Sequence, residues 1–216
     1  MRWTVIFFLF CIGLSAQEPD TLLLSLQSKL DSLESFEATI HLAVDIEHVN
    51  LPDKTARIRF EKGKNLDIES ESFIMVPKKG LDFDLSELFR YPYIALRTGR
   101  QKVNGHDCEV LRIIPQNSKS DFSIATLMID PNGIQLIRSE ISTKKNGEFT
   151  VTYSYESPAD ILPSGVEVGL SIADIRVPLR FLAKDVEVDQ KKLQEEDKNG
   201  KIRILFEDYI IRWSTQ

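Results

Sequence analysis

The stretch VNGHDCEVLRIIPQNSKSDFSIATLMIDPNGIQLIRSEISTKKNGEFTVTYSYE, residues 103–156, decides the fold. Its four apolar runs are rich in Val, Ile, Thr, Phe and Tyr, which favour strands. Three turn signals separate the runs: a polar segment at 116–121, Asp-Pro-Asn-Gly at 130–133 and Lys-Lys-Asn-Gly at 144–147. Asn-Gly is a strong hairpin signal, and Pro followed by Gly suits a type I turn. The stretch therefore predicts four consecutive antiparallel strands.

The beginning of the chain has the pattern of a secretory signal peptide. A positively charged start is followed by the apolar run 5–14, and Ala16 precedes polar residues. The run is too short to span a membrane, and Cys11 lies in its middle, which does not suit lipidation. We therefore expect residues 1–16 to be a cleaved signal peptide and residues 17–216 to form one domain.

Composition excludes some functions and constrains the interior. The 216 residues carry a net charge of −6, which argues against a basic surface for nucleic acids. Cleavage after Ala16 leaves Cys108 as the remaining cysteine, so an internal disulfide cannot form. We interpret Cys108 as a buried small hydrophobe in a strand rather than as a reactive thiol.

Residues 20–35 favour a helix that leads directly into a long strand. Leucines recur at helical spacing on one side, and Asp20 can cap the N-terminus. Residues 36–48 then alternate between apolar and polar, the period of a strand with one buried face. At about 3.3 Å per residue this strand would be roughly 40 Å long, a length that suits a strongly curved sheet. The leucine stripe consists of Leu22, Leu23, Leu26, Leu30 and Leu33.

Further strands are predicted on both sides of the central stretch, about nine to eleven in all. Residues 81–99 interrupt the strand pattern, and we interpret them as a flap over one mouth or edge of the sheet. Its aromatic and apolar residues include Leu88, Phe89, Tyr91 and Tyr93. The other predicted strands are 56–61, one beginning at 66–68, 73–76, 166–175, 177–188 and 201–213.

Several of these strands are apolar on both faces, as at residues 110–114, 127–129 and 134–137. A sheet with two dry faces needs a cover on each. One helix can cover one face, and the sheet can curl so that the other lines its own interior. The predicted class is α+β, mainly β, with a curved antiparallel sheet or unclosed barrel whose interior is either filled or open. The N-terminal helix and a short helical insert at 84–89 are expected to form its lid.

No enzyme, metal or cofactor signature is found. The three histidines, His41, His48 and His106, are not clustered as zinc ligands would be. Nucleophile and phosphate-loop motifs are absent. Arg97 and Arg100 near the tyrosines of the flap could bind an anion, or the flap could be packed by its own aromatics.

Motifs along the chain resemble one family, the periplasmic outer-membrane lipoprotein carriers, which are LolA-like proteins. Residues 26–38, LQSKLDSLESFEA, resemble the family's opening, in which L-x-x-x-L-D-x-x-x-S-F-x-A leads from a helix into the first strand. Residues 60–66, FEKGKNL, are similar to its next hairpin. Val110-Leu111 with Pro115, then Ile129-Asp130 and Gly133-Ile134, resemble its central strands. Residues 200–209 resemble the close of broader lipoprotein-sorting proteins.

The resemblance implies a periplasmic, non-catalytic protein with an unclosed barrel and a helical lid over an apolar cavity. Such a cavity carries the acyl chains of lipoproteins and needs no cofactor. The family's hairpin arginine, which latches the lid, is matched here by Gly63, so this latch is not expected. The expected cavity residues are Leu26 and Leu30 on the lid and Phe36, Ile40, Leu42, Ile58, Phe60, Leu66 and Ile68 on the wall.

Two functions remain open at this point. The first is binding or carriage of acyl chains, lipid or lipidated proteins by a monomer, with envelope membrane proteins as possible partners. The second is an interaction or lipoprotein-sensing module with the same fold and a filled interior. A hydrolase is disfavoured because no motif supports it. An internal pocket of a few hundred Å³ would favour the first, and a filled interior the second.

Overall fold

The computed structural model of the protein leaves several predicted features outside the residues it describes. These are the signal peptide at 1–16, the strand at 73–76, the helical insert at 84–89 with Leu88 and Phe89, and all but the last two residues of the strand at 177–188. The described residues are 20–45, 49–50, 52–64, 66–69, 90–144, 147–171, 187–188 and 199–213.

One helix precedes twelve strands in the described part of the chain. The helix is α1, Thr21–Asp31. The strands are β1 Leu33–Asp45, β2 Val49–Asn50, β3 Lys54–Glu61, β4 Asp67–Glu69, β5 Tyr93–Val103, β6 His106–Pro115, β7 Phe122–Asp130, β8 Gln135–Thr143, β9 Glu148–Ser154, β10 Gly165–Ser171, β11 Glu187–Val188 and β12 Asn199–Trp213.

Ten of the strands form one open, curved antiparallel sheet, in the order β4-β3-β1-β12-β10-β9-β8-β7-β6-β5. β2 and β11 pair separately. The four strands predicted from residues 103–156 are β6 to β9, and they are neighbours in chain order, which confirms the meander. β12 lies between β1 and β10, so the first and the last of the strands are neighbours within the sheet. The predicted fold, an unclosed barrel with an N-terminal helix, is confirmed.

The turn between β7 and β8 spans residues 131–134. Gly133 does not have a positive φ; Ile134 does, at 50°. A glycine is needed at 133 because a Cβ there would lie 2.6 Å from the carbonyl oxygen of Pro158. This close approach packs the turn against the β9–β10 loop.

The predicted helix is too long at its C-terminal end. α1 ends at Asp31, and Ser32 alone separates it from β1. Leu33, assigned to the leucine stripe, is instead the first residue of β1 and pairs with Trp213. Its side chain packs with the strand cluster that contains Phe36 and not with the helix leucines. Asp20 caps α1 as predicted, since its Oδ1 accepts hydrogen bonds from the amides of Leu22 and Leu23.

The interpretation of residues 81–99 as an irregular flap is wrong for its last seven residues. Tyr93 begins β5, which pairs with β6 from Tyr93–Pro115 to Val103–His106. Tyr91 precedes the strand. β5 is an edge strand with mostly exposed side chains, so its sequence has neither a long apolar run nor clean alternation.

Candidate functional site

The wall residues predicted from β1 and β3 do meet on one face of the sheet. Ile40 pairs with Ala56 and Phe206, and Phe36 pairs with Phe60, whose ring centroid is 5.3 Å away. Phe36, Ile40, Leu42 and Ile58 are each at most 2% exposed. Phe60, Leu66 and Ile68 are partly buried against the same cluster. This end of the inner wall is therefore closed by its own side chains.

The predicted lid residues belong to a second cluster. Leu26 packs with Leu23 against β6, β7 and β8, where it meets residues such as Leu111 and Leu127. Leu30 is partly buried against the same group. α1 therefore covers the β5–β8 part of the sheet and not the β1–β3 part. Tyr153 of β9 packs against both clusters and joins them.

A small cavity lies where α1 meets β8, β9 and the β9–β10 loop. Its volume is about 30 Å³, enough for roughly two water molecules. Ligand pockets are usually about 300–1,000 Å³, so the conformation described here is closed to an acyl chain at this place. The cavity is lined by Leu26, Lys29, Leu30, Ile134, Leu136, Tyr153, Tyr155, Ile161, Leu162 and Pro163.

Of the predicted site residues, Leu26 and Leu30 line this cavity, and the other lining residues were missed. Ile161-Leu162-Pro163 is an apolar triplet between polar residues, which is a signal that the sequence offers. The contact between this loop and α1 could not be predicted from local sequence patterns, because about 130 residues separate Lys29 from Asp160.

Lys29 holds α1 to the two loops at the mouth of the cavity. Its Nζ donates to the carbonyl oxygens of Gly133 at 2.6 Å and Asp160 at 3.0 Å. Burial lowers the pKa of Lys29, and the nearby Asp160 carboxylate offsets part of this effect. That carboxylate instead accepts a hydrogen bond from the amide of Ser157 at 2.8 Å.

Tyrosine hydroxyls fix the strands and loop around the cavity. Tyr155 donates to the carbonyl oxygen of Leu136 at 3.1 Å, and Tyr209 donates to that of Pro163 at 2.7 Å. Burial raises the pKa of both hydroxyls, with a smaller contribution from tyrosine neighbours. Both side chains therefore remain neutral donors across the physiological range. Their hydrogen bonds hold β8 and the β9–β10 loop in place beside the cavity.

The ends of α1 are held by cations from the sheet. Arg97 of β5 contacts both carboxylate oxygens of Asp20, and it also lies 3.4 Å from Glu109. Arg100 contacts Glu109 at 2.7 Å. The possibility that these two arginines bind an external anion is therefore not supported, because carboxylates of this chain already occupy them.

At the other end of α1, Lys62 donates to the carbonyl oxygen of Asp31 at 2.7 Å. Lys62 directly precedes Gly63, the position that matches the family's latching arginine. Gly63 itself occupies a turn with a φ of 79°. The hairpin therefore does supply a cation to the helix. That cation is Lys62, one residue before the position that matches the family's arginine.

The histidines do not come together. His41 contacts Glu207 and Thr55 on the exposed side of β1, and His106 bonds Asp130 at 2.7 Å. His106 is the first residue of β6 and directly follows the turn at Asn104-Gly105, and His48 lies outside the described residues. Within the described ranges no group of three or more His, Cys, Asp or Glu side chains could hold a metal ion.

Comparison with known proteins shows what the fold is. No protein-family model and no curated protein sequence matches the chain. Among solved structures it is similar to a domain from Vibrio parahaemolyticus whose name gives outer membrane lipoprotein sorting as a provisional role. That likeness has a TM-score of 0.52 and 11% identity over 88% of this chain and 91% of the other. The chain has the fold of that domain.

Two further solved structures are similar to the chain over most of their length. A DUF1329 family protein from Desulfovibrio piger has a TM-score of 0.50 and 12% identity, over 88% of this chain and 90% of the other. A LolA superfamily protein from Nitrosomonas europaea has a TM-score of 0.47 and 9% identity, over 88% and 93%. At such identities the likeness concerns the fold alone. Among the described residues, no helix has the length and apolar character needed to span a membrane.

Proposed function

We propose that this protein is a periplasmic, non-catalytic binding protein that takes up an acyl chain of a lipid or lipidated protein against the inner wall of its sheet. The observation that carries the proposal is the cavity between α1 and the two apolar clusters. The tail would enter there and move Leu26 and Leu30 outwards. The conformation described above is then the closed, ligand-free state.

The free energies of tail and helix burial are of comparable size. Leu26 is 3% exposed and Leu30 is partly buried, and burying each contributes up to about 2 kcal/mol. A tail gains about 0.8 kcal/mol per methylene, so roughly ten methylenes give about 8 kcal/mol. Displacing both leucines leaves about 4 kcal/mol, which is millimolar binding, whereas about fifteen methylenes reach the micromolar range. The proposal therefore requires long tails.

The direct test is a titration of the chain from residue 17 onwards with fluorescent fatty acids of increasing length. We expect micromolar binding for long tails and about a fourfold loss of affinity for each methylene removed. Leu26→Glu should weaken binding at least tenfold, because the displaced helix stays beside the tail and a carboxylate there would lose its hydration. Leu24→Glu is the matched control, because Leu24 lies on the same helix and is 45% exposed.

Binding in cells supplies the second half of the test. Protein purified from the periplasm should release lipid on solvent extraction, and Phe60→Glu should reduce the amount. Absence of uptake by the unmodified chain, together with unchanged lipid content in the Leu26 and Phe60 variants, would refute the proposal. Cell fractionation would check the periplasmic location.

A second candidate is an envelope interaction module with a filled interior. Two observations favour it: the cavity holds only about 30 Å³, and β12 exposes Leu205, Ile210 and Trp213. Under this alternative the chain takes up no tail. Crosslinking in cells would instead join it to a membrane protein of the envelope, and Ile210→Asp would abolish that product.

A further inference from the structure

Lys29 is a cation on the lining of the apolar cavity, and its hydrogen-bond acceptors among the described residues are neutral. Its two hydrogen bonds go to neutral main-chain carbonyls, and no carboxylate of the described residues lies within ion-pair distance of its Nζ. An ammonium has three N–H donors, so one remains for another acceptor. The side chain is half-buried, between Leu26 and Leu30 on the cavity lining.

The packing around Lys29 does not require a charged side chain. Packing alone would be satisfied by an apolar side chain, because the lining is otherwise made mainly of Leu, Ile, Pro and Tyr. The Asp160 carboxylate is engaged by the Ser157 amide, and Gln135 already donates to the Asp160 carbonyl at 3.0 Å. Burial lowers the pKa of Lys29, and the Asp160 carboxylate offsets this effect only in part, so the cost of burying the cation is incompletely compensated.

We propose, resting on the function proposed above, that the ligand is a single-tailed amphiphile with an anionic head, a carboxylate or a phosphate, which Lys29 binds at the mouth of the cavity. The tail lies along the inner wall beside Leu26 and Leu30. The head stays at the rim, where α1 meets the β9–β10 loop.

The same contact couples head binding to the movement of α1. When the helix moves outwards, Lys29 leaves the carbonyl oxygens of Gly133 and Asp160. An anionic head replaces these neutral acceptors with a charged one, so the Coulomb attraction of an ion pair is added to the hydrogen bond. A neutral head offers no such replacement, so the open state is favoured by anionic ligands in particular.

The test compares one fluorescent C18 tail with two heads, the free acid and its methyl ester, by titration at neutral pH. We expect the acid to bind about tenfold or more tightly than the ester. A lysophosphatidic acid of equal tail length should displace the bound acid, whereas the corresponding uncharged monoacylglycerol should do so at least tenfold less well.

Three variants assign the preference to Lys29. Lys29→Met should bind acid and ester equally, at the ester's affinity, and Lys29→Arg should retain the preference. Lys102→Met removes the same charge at an exposed site on β5 and should behave like the unmodified chain. Melting temperatures of all variants would show that each is folded.

The outcomes separate the two proposals. Equal binding of acid and ester by the unmodified chain, or a preference that persists in Lys29→Met, would overturn the role of Lys29 while tail binding stands. Binding of neither compound would overturn the tail-binding function itself and this inference with it.

Discussion

The guanidinium of Arg97 contacts both carboxylate oxygens of Asp20, with N–O distances of 3.0 to 3.1 Å. Asp20 is also the N-cap of α1, so one carboxylate caps the N-terminus of the helix and joins it to the edge strand β5. At the opposite end, α1 is held by Lys29 and Lys62 through main-chain carbonyls. The helix is therefore fastened by polar contacts at its ends and by leucines between them.

Breaking the Asp20 contacts should loosen the start of α1. Asp20→Ala removes both the cap and the ion pair and should lower the free energy of unfolding by about 1–2 kcal/mol. Asp20→Asn keeps a capping side chain and should cost about 0.5 kcal/mol, because the pair is partly exposed. Hydrogen exchange of the α1 amides and urea denaturation would measure both. Equal effects of the two substitutions would contradict the ion-pair contribution.

Shortening a lid leucine should favour ligand binding. Leu26→Ala removes apolar surface that competes with the tail, so the affinity for a long fatty acid should rise while stability falls by about 2–4 kcal/mol. Leu24→Ala, at the exposed position, should change neither. Calorimetric titration with one C16 acid would measure the affinities. An unchanged or weaker affinity of Leu26→Ala would show that the helix does not compete with the tail.

Gly133 should tolerate no side chain. A Cβ there would meet the Pro158 carbonyl at 2.6 Å and the amide group of Gln135 at 3.0 Å, and Gln135 is itself held by loop carbonyls. Gly133→Ala should therefore destabilise the fold by about 1–3 kcal/mol through displacement of the loop. Gly169→Ala is the control, because its Cβ would have ordinary contacts at 3.8 Å. Thermal melts would rank the two, and equal melting temperatures would contradict the steric argument.

The His106–Asp130 contact should contribute stability that is lost in acid. Burial raises the pKa of Asp130, but the hydrogen bonds from His106 and the Asn132 amide outweigh it, so the pKa is below its ordinary value of 3.8. A carboxyl with a lowered folded pKa stabilises above its unfolded pKa, about 3.9, and loses this contribution as pH falls through the folded value. The difference in melting temperature between the unmodified chain and Asp130→Asn should therefore shrink between pH 6 and about pH 3. A constant difference would exclude this linkage.

Cys108 should be unreactive in the folded protein. Burial, with smaller contributions from Asp130 and Asp107, raises the pKa of its thiol from 9.0 to about 11. The thiolate fraction then falls about a hundredfold, and the side chain is 0% exposed. Labelling with a thiol reagent at pH 8 should be more than a hundredfold slower in buffer than in urea. Rapid labelling in buffer would show that β6 opens locally.

The strands that could be predicted are those whose local chemistry agrees with their place in the sheet. β6 to β9 have apolar runs between clear turn signals, so the sequence of residues 103–156 is sufficient to predict these four strands. β5 was mostly missed because an edge strand needs no buried face, and its segment around Arg97 to Lys102 is polar. Only pairing with β6, a tertiary contact, makes it a strand.

The residues that line the cavity could be predicted only in part. The leucine stripe indicated a cover, and Leu26 and Leu30 do line the cavity. Leu33 fits the helical period equally well, yet it pairs with Trp213 at the far end of the chain. The cavity also depends on Tyr153, Ile161 and their neighbours, whose approach to Lys29 is fixed by strand order across the sheet. Such contacts follow from topology and cannot be read from a local period.

The single residue Ser32 between α1 and β1 has a consequence for the release of a ligand. β1 is hydrogen-bonded on both sides, to β3 and β12, so the displaced helix stays anchored beside the wall. Its leucines then remain present at a high effective concentration and act as an intramolecular competitor for the occupied surface. Under the proposed function, release of a bound tail would therefore need no separate displacing molecule, because the tethered leucines compete for the same surface.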